Sequence, residues 1–380
     1  MRNPIAIVGV GEADLPINGK SIMQIQAEAA KRAIEDAQID KNEIDAIFCA
    51  GVDVRMPSMY IAEYLGLKNI RYGDATRIGG SSFEAHLLHA AAAINEGLCN
   101  VAIILYASTQ KSDRRVPNKG YRFIEQPFFE WERPYAVLDP LSSYSLAAQR
   151  HMDLYGTTSE QLAEIAVATR KWAMLNPRAQ KQEPLSMEEV MNSRLVSSPL
   201  RLLDCCLVTD GAGAIVVTSE KYAQQLKAKS VFVLGGAEAY GHNSLTQAQE
   251  ITETAAAVTG KRALEMAGVS LQEIDVVQLY DSFTITVLLL LEDLGFCKKG
   301  EGGLFVEKQR TAPGGDFALN TSGGGLSYCH PGMFGIFLLI EAVKQLRGEC
   351  EARQINDAKL ALVHGVGGKL SSHSTVILGI

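Results

Sequence analysis

Residues 31–45 (KRAIEDAQIDKNEID) and 261–275 (KRALEMAGVSLQEID) are two copies of one segment, identical at eight of fifteen positions with a constant offset of 230 residues. The matches are Lys31/Lys261, Arg32/Arg262, Ala33/Ala263, Glu35/Glu265, Ala37/Ala267, Glu43/Glu273, Ile44/Ile274 and Asp45/Asp275. An internal repeat restricts the chain to architectures that use one supersecondary unit twice. In each copy an alanine-rich amphipathic stretch predicts a helix, a short polar loop follows, and an apolar run predicts a strand, Ala46 to Ala50 or Val276 to Tyr280. A second shared step lies further on. Gly80-Ser81 opens a helix expected over Ser82 to Glu96 ahead of a strand Val101 to Tyr106; its counterpart is a helix from Pro331 to Gly348 ahead of Leu360 to His364.

Strands alternating with helices imply an α/β fold with a mostly parallel sheet covered on both faces. The runs VAIILY, AIVVT, VFVLGG and STVILG suit strands buried on both sides. One half then spans 1–225 and the other 226–380, with 110–200 as an insertion. Within it, YRFIEQPFFEWERPY (121–135) breaks the alternation with aromatic and charged residues, as a lid over a site or a cover over core does. Helices are expected at His151 to Tyr155 and Ser159 to Leu175, the second stopped by Asn176-Pro177.

With 380 residues, 47% of them hydrophobic and 21% charged, the chain has material for a large core. A net charge of −7 and the lack of a basic run argue against nucleic acid as a partner. The apolar start Ile5 to Val10 is too short for a secretory signal and reads as a first strand, and no apolar run approaches a membrane span. A cytoplasmic protein without membrane insertion is expected. Seven scattered cysteines without a CxxC indicate neither a disulfide framework nor a zinc ribbon, and most read as small core residues.

Four segments could carry chemistry. Ser81-Ser82-Phe83-Glu84 matches a capping box, a complete structural account of Ser81, while Gly79-Gly80 before it leaves helix N-terminal amides open to a developing negative oxygen. Tyr280-Asp281-Ser282 directly follows a strand, where sites of parallel sheets form; Tyr280 is either a proton donor or acceptor, or a packed tyrosine with a satisfied hydroxyl. Asn320-Thr321-Ser322-Gly323-Gly324-Gly325 leads to Tyr328-Cys329-His330-Pro331, a tight loop delivering His330 to a helix start, where it could serve an oxyanion or take a proton. Finally, His364-Gly365-Val366-Gly367-Gly368 offers the amides of Gly367 and Gly368 as a second oxyanion site. His364 and His373 lack metal-ligand spacing, so no metal is expected. Gly9, Gly11 and Gly235-Gly236 follow strands without completing GxGxxG, which leaves dinucleotide binding weakly supported.

These segments, in this order and in a duplicated chain, resemble the thiolase superfamily over the whole length, most of all its sterol-carrier-protein-X and lipid-transfer-protein branch. Arg194 to Asp204 (RLVSSPLRLLD) and Thr209 to Ala214 (TDGAGA) carry the same likeness. Asn320 to Gly324 corresponds to the family's Asn-x-x-Gly-Gly, and Cys329-His330-Pro331 to its Gly-His-Pro. The resemblance implies two α/β halves with mixed, mostly parallel sheets, layered α-β-α-β-α, plus a loop insertion. It also implies a coenzyme A thioester as substrate, no permanently bound cofactor, and a homodimer joined by a small OB-fold, zinc-ribbon subunit.

The departures bear on chemistry. The family's nucleophilic cysteine aligns with Gly79, followed by Gly80-Ser81-Ser82. Its acid/base cysteine aligns with Gly365 or Ser282, and its strand-end Asn or His with Tyr280. Glycine forms no acyl-enzyme. What remains is enolate stabilisation by His330, the Gly80–Ser82 amides and the Gly367–Gly368 amides, with Tyr280 as the leading base and Tyr328 as a second candidate. That set implies retro-aldol cleavage of a β-hydroxyacyl-CoA, as in relatives that break down steroid side chains, some of which carry a tyrosine where His330 stands. The rivals are an acyltransferase using Cys329, Ser81 or Ser82, and a non-catalytic acyl-CoA-binding scaffold subunit.

Overall fold

The repeated segments fold alike in the computed structural model, which describes residues 4–51, 54–113, 129–137 and 140–380. Helices Ile22–Ala37 and Ala256–Ala267 each lead to one 3-10 turn, Lys41–Glu43 or Leu271–Glu273. Both turns close a capping box, in which the repeated glutamate accepts the backbone N–H of Asp40 at 2.8 Å or of Ser270 at 2.7 Å. The repeated aspartates have one task. Asp45 accepts the amides of Asn100 and Val101, and Asp275 those of Lys359 and Leu360, so each ties its own strand to the start of a neighbouring one.

The repeated alanines explain glycines elsewhere. A Cβ at Gly9 would stand 2.1 Å from the Ala33 carbonyl oxygen, and one at Gly235 would stand 2.3 Å from that of Ala263. These glycines therefore lie inside strands, where they admit a helix at close range, and not in the phosphate-binding turn a dinucleotide would need.

The strands are β1 (Ile5–Glu12), β2 (Ala46–Ala50), β3 (Tyr72–Asp74), β4 (Val101–Ser108), β5 (Leu195–Ser197), β6 (Leu200–Arg201), β7 (Gly211–Ser219), β8 (Val231–Tyr240), β9 (Val276–Leu279), β10 (Leu360–Gly367) and β11 (Ser372–Gly379). β5 and β6 form a separate hairpin; the other nine are ordered β3-β2-β4-β7-β1-β8-β11-β10-β9. The halves of this order come from the two halves of the chain. They join where Ile5–Ile7 pairs antiparallel with Val231–Val233.

The sheet is mixed, as expected. Parallel pairing joins β2 to β3 and β4, and β9 to β10, in each case with a helix on the intervening chain. The central pairings, from β4–β7 through β11–β10, are antiparallel. Chain order alternates strand and helix, but these central neighbours are mostly not consecutive in the chain, so alternation alone does not set their direction.

Five layers result. Ile22–Ala37 packs on β1, β4 and β7, and Ala256–Ala267 on β8 and β11, while Ser82–Asn95 and Gly335–Arg347 each touch strands of both halves. Every residue of Gly335–Arg347 except Lys344 is buried, as a helix of the middle layer requires. In the insertion, Leu141–Tyr155 is ten residues longer than its expected helix, and Ser159–Met174 packs beside the loop that carries His330. Most of the aromatic segment, 121–128, lies outside the described residues. No described helix is long and apolar enough to cross a membrane.

Candidate active site

β9 ends at Leu279, and the next amide, that of Tyr280, donates to the His364 carbonyl of β10, which fixes the tyrosine at the carboxyl end of its strand. Its side chain is buried, edge-on to the His330 ring, with the hydroxyl 2.9 Å from Nε2. His330 arrives through the glycine loop. Gly323 and Gly324 take φ of +96° and +55°, a region that favours glycine.

Asp281, the residue after Tyr280, accepts the amides of Gly325 at 2.6 Å and Leu326 at 3.2 Å. A Cβ on Gly324 would stand 2.0 Å from its carboxylate. The glycines thus serve a close approach to Asp281 from within the chain. Thr209 completes the support, its Oγ1 accepting the His330 amide at 3.0 Å while its own amide donates back to the His330 carbonyl.

Burial governs the electrostatics. It pushes Tyr280 well above the ordinary phenol range and His330 down to about 4. Both are therefore neutral near pH 7, with one proton shared across the bond between them. Burial also lifts Asp281 to about 7, against the pull of the Gly325 and Leu326 amides.

The N-terminal half supplies the opposite wall. Gly79–Ser81 is a 3-10 turn that runs straight into Ser82–Asn95. Ser81 has helical angles and makes no cap bond, so the expected capping box does not form. Its hydroxyl instead lies 2.8 Å from that of Ser372 and donates to the Ile78 carbonyl. Ser82 donates its hydroxyl to the Gly79 carbonyl at 2.6 Å, and its amide closes on the same oxygen. The Ser82 amide is thus spent within the turn and is not an oxyanion donor, and both serine hydroxyls are engaged.

The two glycines face different ways. A Cβ on Gly79 would meet the Gly367 Cα at 2.6 Å and the Gly368 nitrogen at 2.7 Å; one on Gly80 would meet the Tyr280 ring at 2.1 Å and the Val366 carbonyl at 2.4 Å. Gly80, and not Gly79, is therefore turned to Tyr280. Gly367 and Gly368 are brought against the turn at Ile78–Gly79, as the backing of the site.

Other candidates are placed elsewhere. Tyr328 donates its hydroxyl to Glu12 at 3.0 Å, within a buried cluster that pairs Glu12 with Arg178 and Lys344, so it is a structural residue and not a second base. The backbone turns between Tyr328 and His330 because Cys329 is extended after a helical turn. Asn320, which the family resemblance implies as a substrate-binding residue, is buried, and its Oδ1 accepts the Leu279 amide at 2.8 Å at the edge of β9. Cys329 is fully buried and burial holds its thiol well above the ordinary range, which argues against a nucleophile. His364 and His373 bond to each other at 3.0 Å beneath β10 and β11.

Three residues near the pair were not singled out from sequence. Cys206, Tyr144 and Tyr106 lie near enough to Tyr280 to oppose its ionisation. Tyr144 donates to the Gly368 carbonyl at 3.2 Å, and the Tyr106 hydroxyl bridges Pro331 and Met333. Cys206 lies between the two runs read for family likeness, 194–204 and 209–214, with no local pattern to mark it.

Comparison with known proteins agrees with this architecture. The thiolase C-terminal domain-like family matches residues 237–380. An acetyl-CoA acetyltransferase of Methanothermobacter thermautotrophicus is 36% identical over 379 residues, covering 96% of each chain. The 17-hydroxy-3-oxo-4-pregnene-20-carboxyl-CoA lyase of Mycobacterium tuberculosis is 32% identical over 357 residues, covering 90% of this chain and 91% of the lyase. A solved Ltp2-ChsH2(DUF35) aldolase matches with a TM-score of 0.88 and 29% identity over 99% of this chain and 97% of its own. The chain belongs to the thiolase superfamily, in the branch that also holds sterol carrier protein 2, and is an enzyme of the thiolase-like acyl-CoA lyase or acyltransferase kind.

Proposed function

We propose that this enzyme cleaves the C–C bond of a β-hydroxyacyl-CoA by a retro-aldol reaction without forming an acyl-enzyme. The observation that carries the reading is the Tyr280 hydroxyl at 2.9 Å from His330 Nε2, with side-chain-free Gly80 against the tyrosine ring. A neutral tyrosine cannot take a proton unless it passes on its own. Here the acceptor is in place: the substrate hydroxyl gives its proton to the Tyr280 oxygen as the tyrosine proton moves to Nε2.

The bond between the α- and β-carbons then breaks, a carbonyl forms at the β-carbon, and the electron pair passes to the thioester as an enolate. Imidazolium at His330, formed in the same step, sits beside the new negative charge and stabilises it. The low intrinsic basicity of His330 makes this charge pairing necessary for the transfer. Substrate binding through coenzyme A, a homodimer, and a small OB-fold, zinc-ribbon subunit belong to the same proposal, the last supported by the two-component aldolase among its structural neighbours.

The test is mass spectrometry of products from a panel of β-hydroxyacyl-CoAs and β-ketoacyl-CoAs, with the chain alone and co-expressed with such a subunit. A ketone or aldehyde plus a shortened acyl-CoA is expected, with no acyl group on the protein. An acyl group trapped on Cys206, which neighbours Tyr280, would replace this reading with acyl transfer; binding without any turnover would leave a scaffold subunit.

A further inference from the structure

Glu84 lies on the first turn of the buried helix Ser82–Asn95, one turn beyond Gly80. Its carboxyl is fully buried, and neither oxygen has a hydrogen-bond partner on another residue. Leaving a polar group in that state costs on the order of 1–3 kcal/mol, so the position would ordinarily be apolar.

Two glycines of the other half make room for it. A Cβ on Gly335 would stand 2.4 Å from Glu84 Oε2 and 2.3 Å from the Gly80 carbonyl oxygen. A Cβ on Gly365 would stand 2.3 Å from the same Oε2 and 2.8 Å from the Ser81 Cα. The carboxyl is thus wedged between the start of its own helix, the start of helix Gly335–Arg347, and β10.

The same backbone reaches the catalytic pair. Gly80 faces the Tyr280 ring, and Val366, the residue after Gly365, presents its carbonyl to Gly80. Gly80 thus links the two: it packs on the tyrosine ring, and a Cβ on Gly335 would meet both its carbonyl oxygen and the Glu84 carboxyl. Burial alone, with no charged neighbour, pushes the carboxyl up to about 8. An acid that keeps its proton near neutral pH, held uncompensated against a site, is placed for proton transfer.

We propose that Glu84 is the acid of this site, delivering its proton to the substrate α-carbon beside Gly80, the residue that packs on Tyr280 and lies one helical turn before Glu84. This rests on the enolate chemistry of the proposed function. The Glu84 O–H bond breaks as the C–H bond forms, and the enolate pair becomes that bond. The proton parked on His330 then returns to the Glu84 carboxylate, which restores the enzyme with no net gain or loss.

Two measurements test it. The first is exchange of the α-protons of a short acyl-CoA with deuterium oxide, followed by mass spectrometry on wild type and Glu84→Gln. Glutamine has the shape and neutrality of the protonated acid, so it retains a purely structural role. Exchange should fall about a hundred-fold or more in Glu84→Gln, with acyl-CoA binding unchanged; exchange at the wild-type rate, or none in wild type, would overturn the proposal.

The second is infrared difference spectroscopy on wild type, which holds even if the variant fails to fold. A protonated-carboxyl band present at neutral pH and perturbed by acyl-CoA is expected, and its absence counts against Glu84. Exchange that depends on Glu84 in an enzyme that cleaves no β-hydroxyacyl-CoA would retire the retro-aldol reading alone. Cleavage by wild type with unaffected exchange in Glu84→Gln would retire Glu84 alone.

Discussion

Asp45 and Asp275 stand at equivalent places in the two halves and hold equivalent strand starts, yet the strands they introduce end differently. At the offset of the repeat, Ala50 corresponds to Tyr280 and Gly51 to Asp281. The second half puts a phenol and a loop-holding carboxylate at its strand end. The first half puts small residues there, and contributes Gly80 to the shared space. The residues kept in both copies, Ala33/Ala263, Glu43/Glu273 and Asp45/Asp275, pack helices or cap turns and strands. A duplicated scaffold so built holds its frame with one set of residues and leaves the strand ends to differ.

The largest effect should come where the halves differ most. Tyr280→Phe should lower turnover by roughly a hundred- to ten-thousand-fold with thioester binding intact, measured by steady-state kinetics against a binding titration. A loss confined to KM would place the tyrosine in binding and not in proton transfer.

Glu84→Gln should separate stability from activity. The folded-state pKa of Glu84, about 8, lies above its unfolded value of 4.5. Between these the folded chain keeps a proton that the unfolded chain has lost, so wild-type stability falls as pH rises through that window and levels off above it. Glutamine does not titrate. The variant should therefore match wild type near pH 4 and exceed it by a few kcal/mol near pH 8, in denaturant melts across pH; a constant difference would show that the carboxyl ionises normally.

Gly80→Ala would put a methyl 2.1 Å from the Tyr280 ring and 2.4 Å from a backbone carbonyl. Overpacking of that kind costs about 1–3 kcal/mol. A crystal structure of the variant should show the tyrosine displaced from His330, with a matching fall in turnover. An unmoved Tyr280 would mean that the helix yields instead.

The shared aspartates sharpen the comparison at the level of the frame. Asp45 is 6% exposed and accepts from both backbone amides and the Asn100 side chain, whereas Asp275 is exposed and accepts from backbone alone. Asp45→Ala should cost about 1–3 kcal/mol and Asp275→Ala about 0.5–1.5 kcal/mol, read from urea midpoints. Equal losses would show that burial does not distinguish the two copies. The smallest effect belongs to Cys329→Ala, which should leave turnover near wild type because the thiol is buried away from solvent.

What the sequence determined by itself was the part written in local pattern. The repeat, its helix–turn–strand order, the buried middle helices and the arrival of Tyr280 and His330 at strand and loop ends all follow from periodicity, capping residues and glycine placement. What only the tertiary structure decided was direction and neighbourhood. Gly79 and Gly80 are identical in sequence, but their backbone angles turn one to Gly367 and the other to Tyr280. Ser81 and Glu84 have capping-box spacing, but the turn before them is already helical, which releases Glu84 into the core. Tyr328 lies two residues from His330, yet an extended Cys329 sends it to Glu12, more than 300 positions away in the chain. Spacing along a chain sets which backbone geometries are available, but the side a residue faces depends on dihedral angles chosen by contacts between distant segments, and those exist only once both halves have closed on one another.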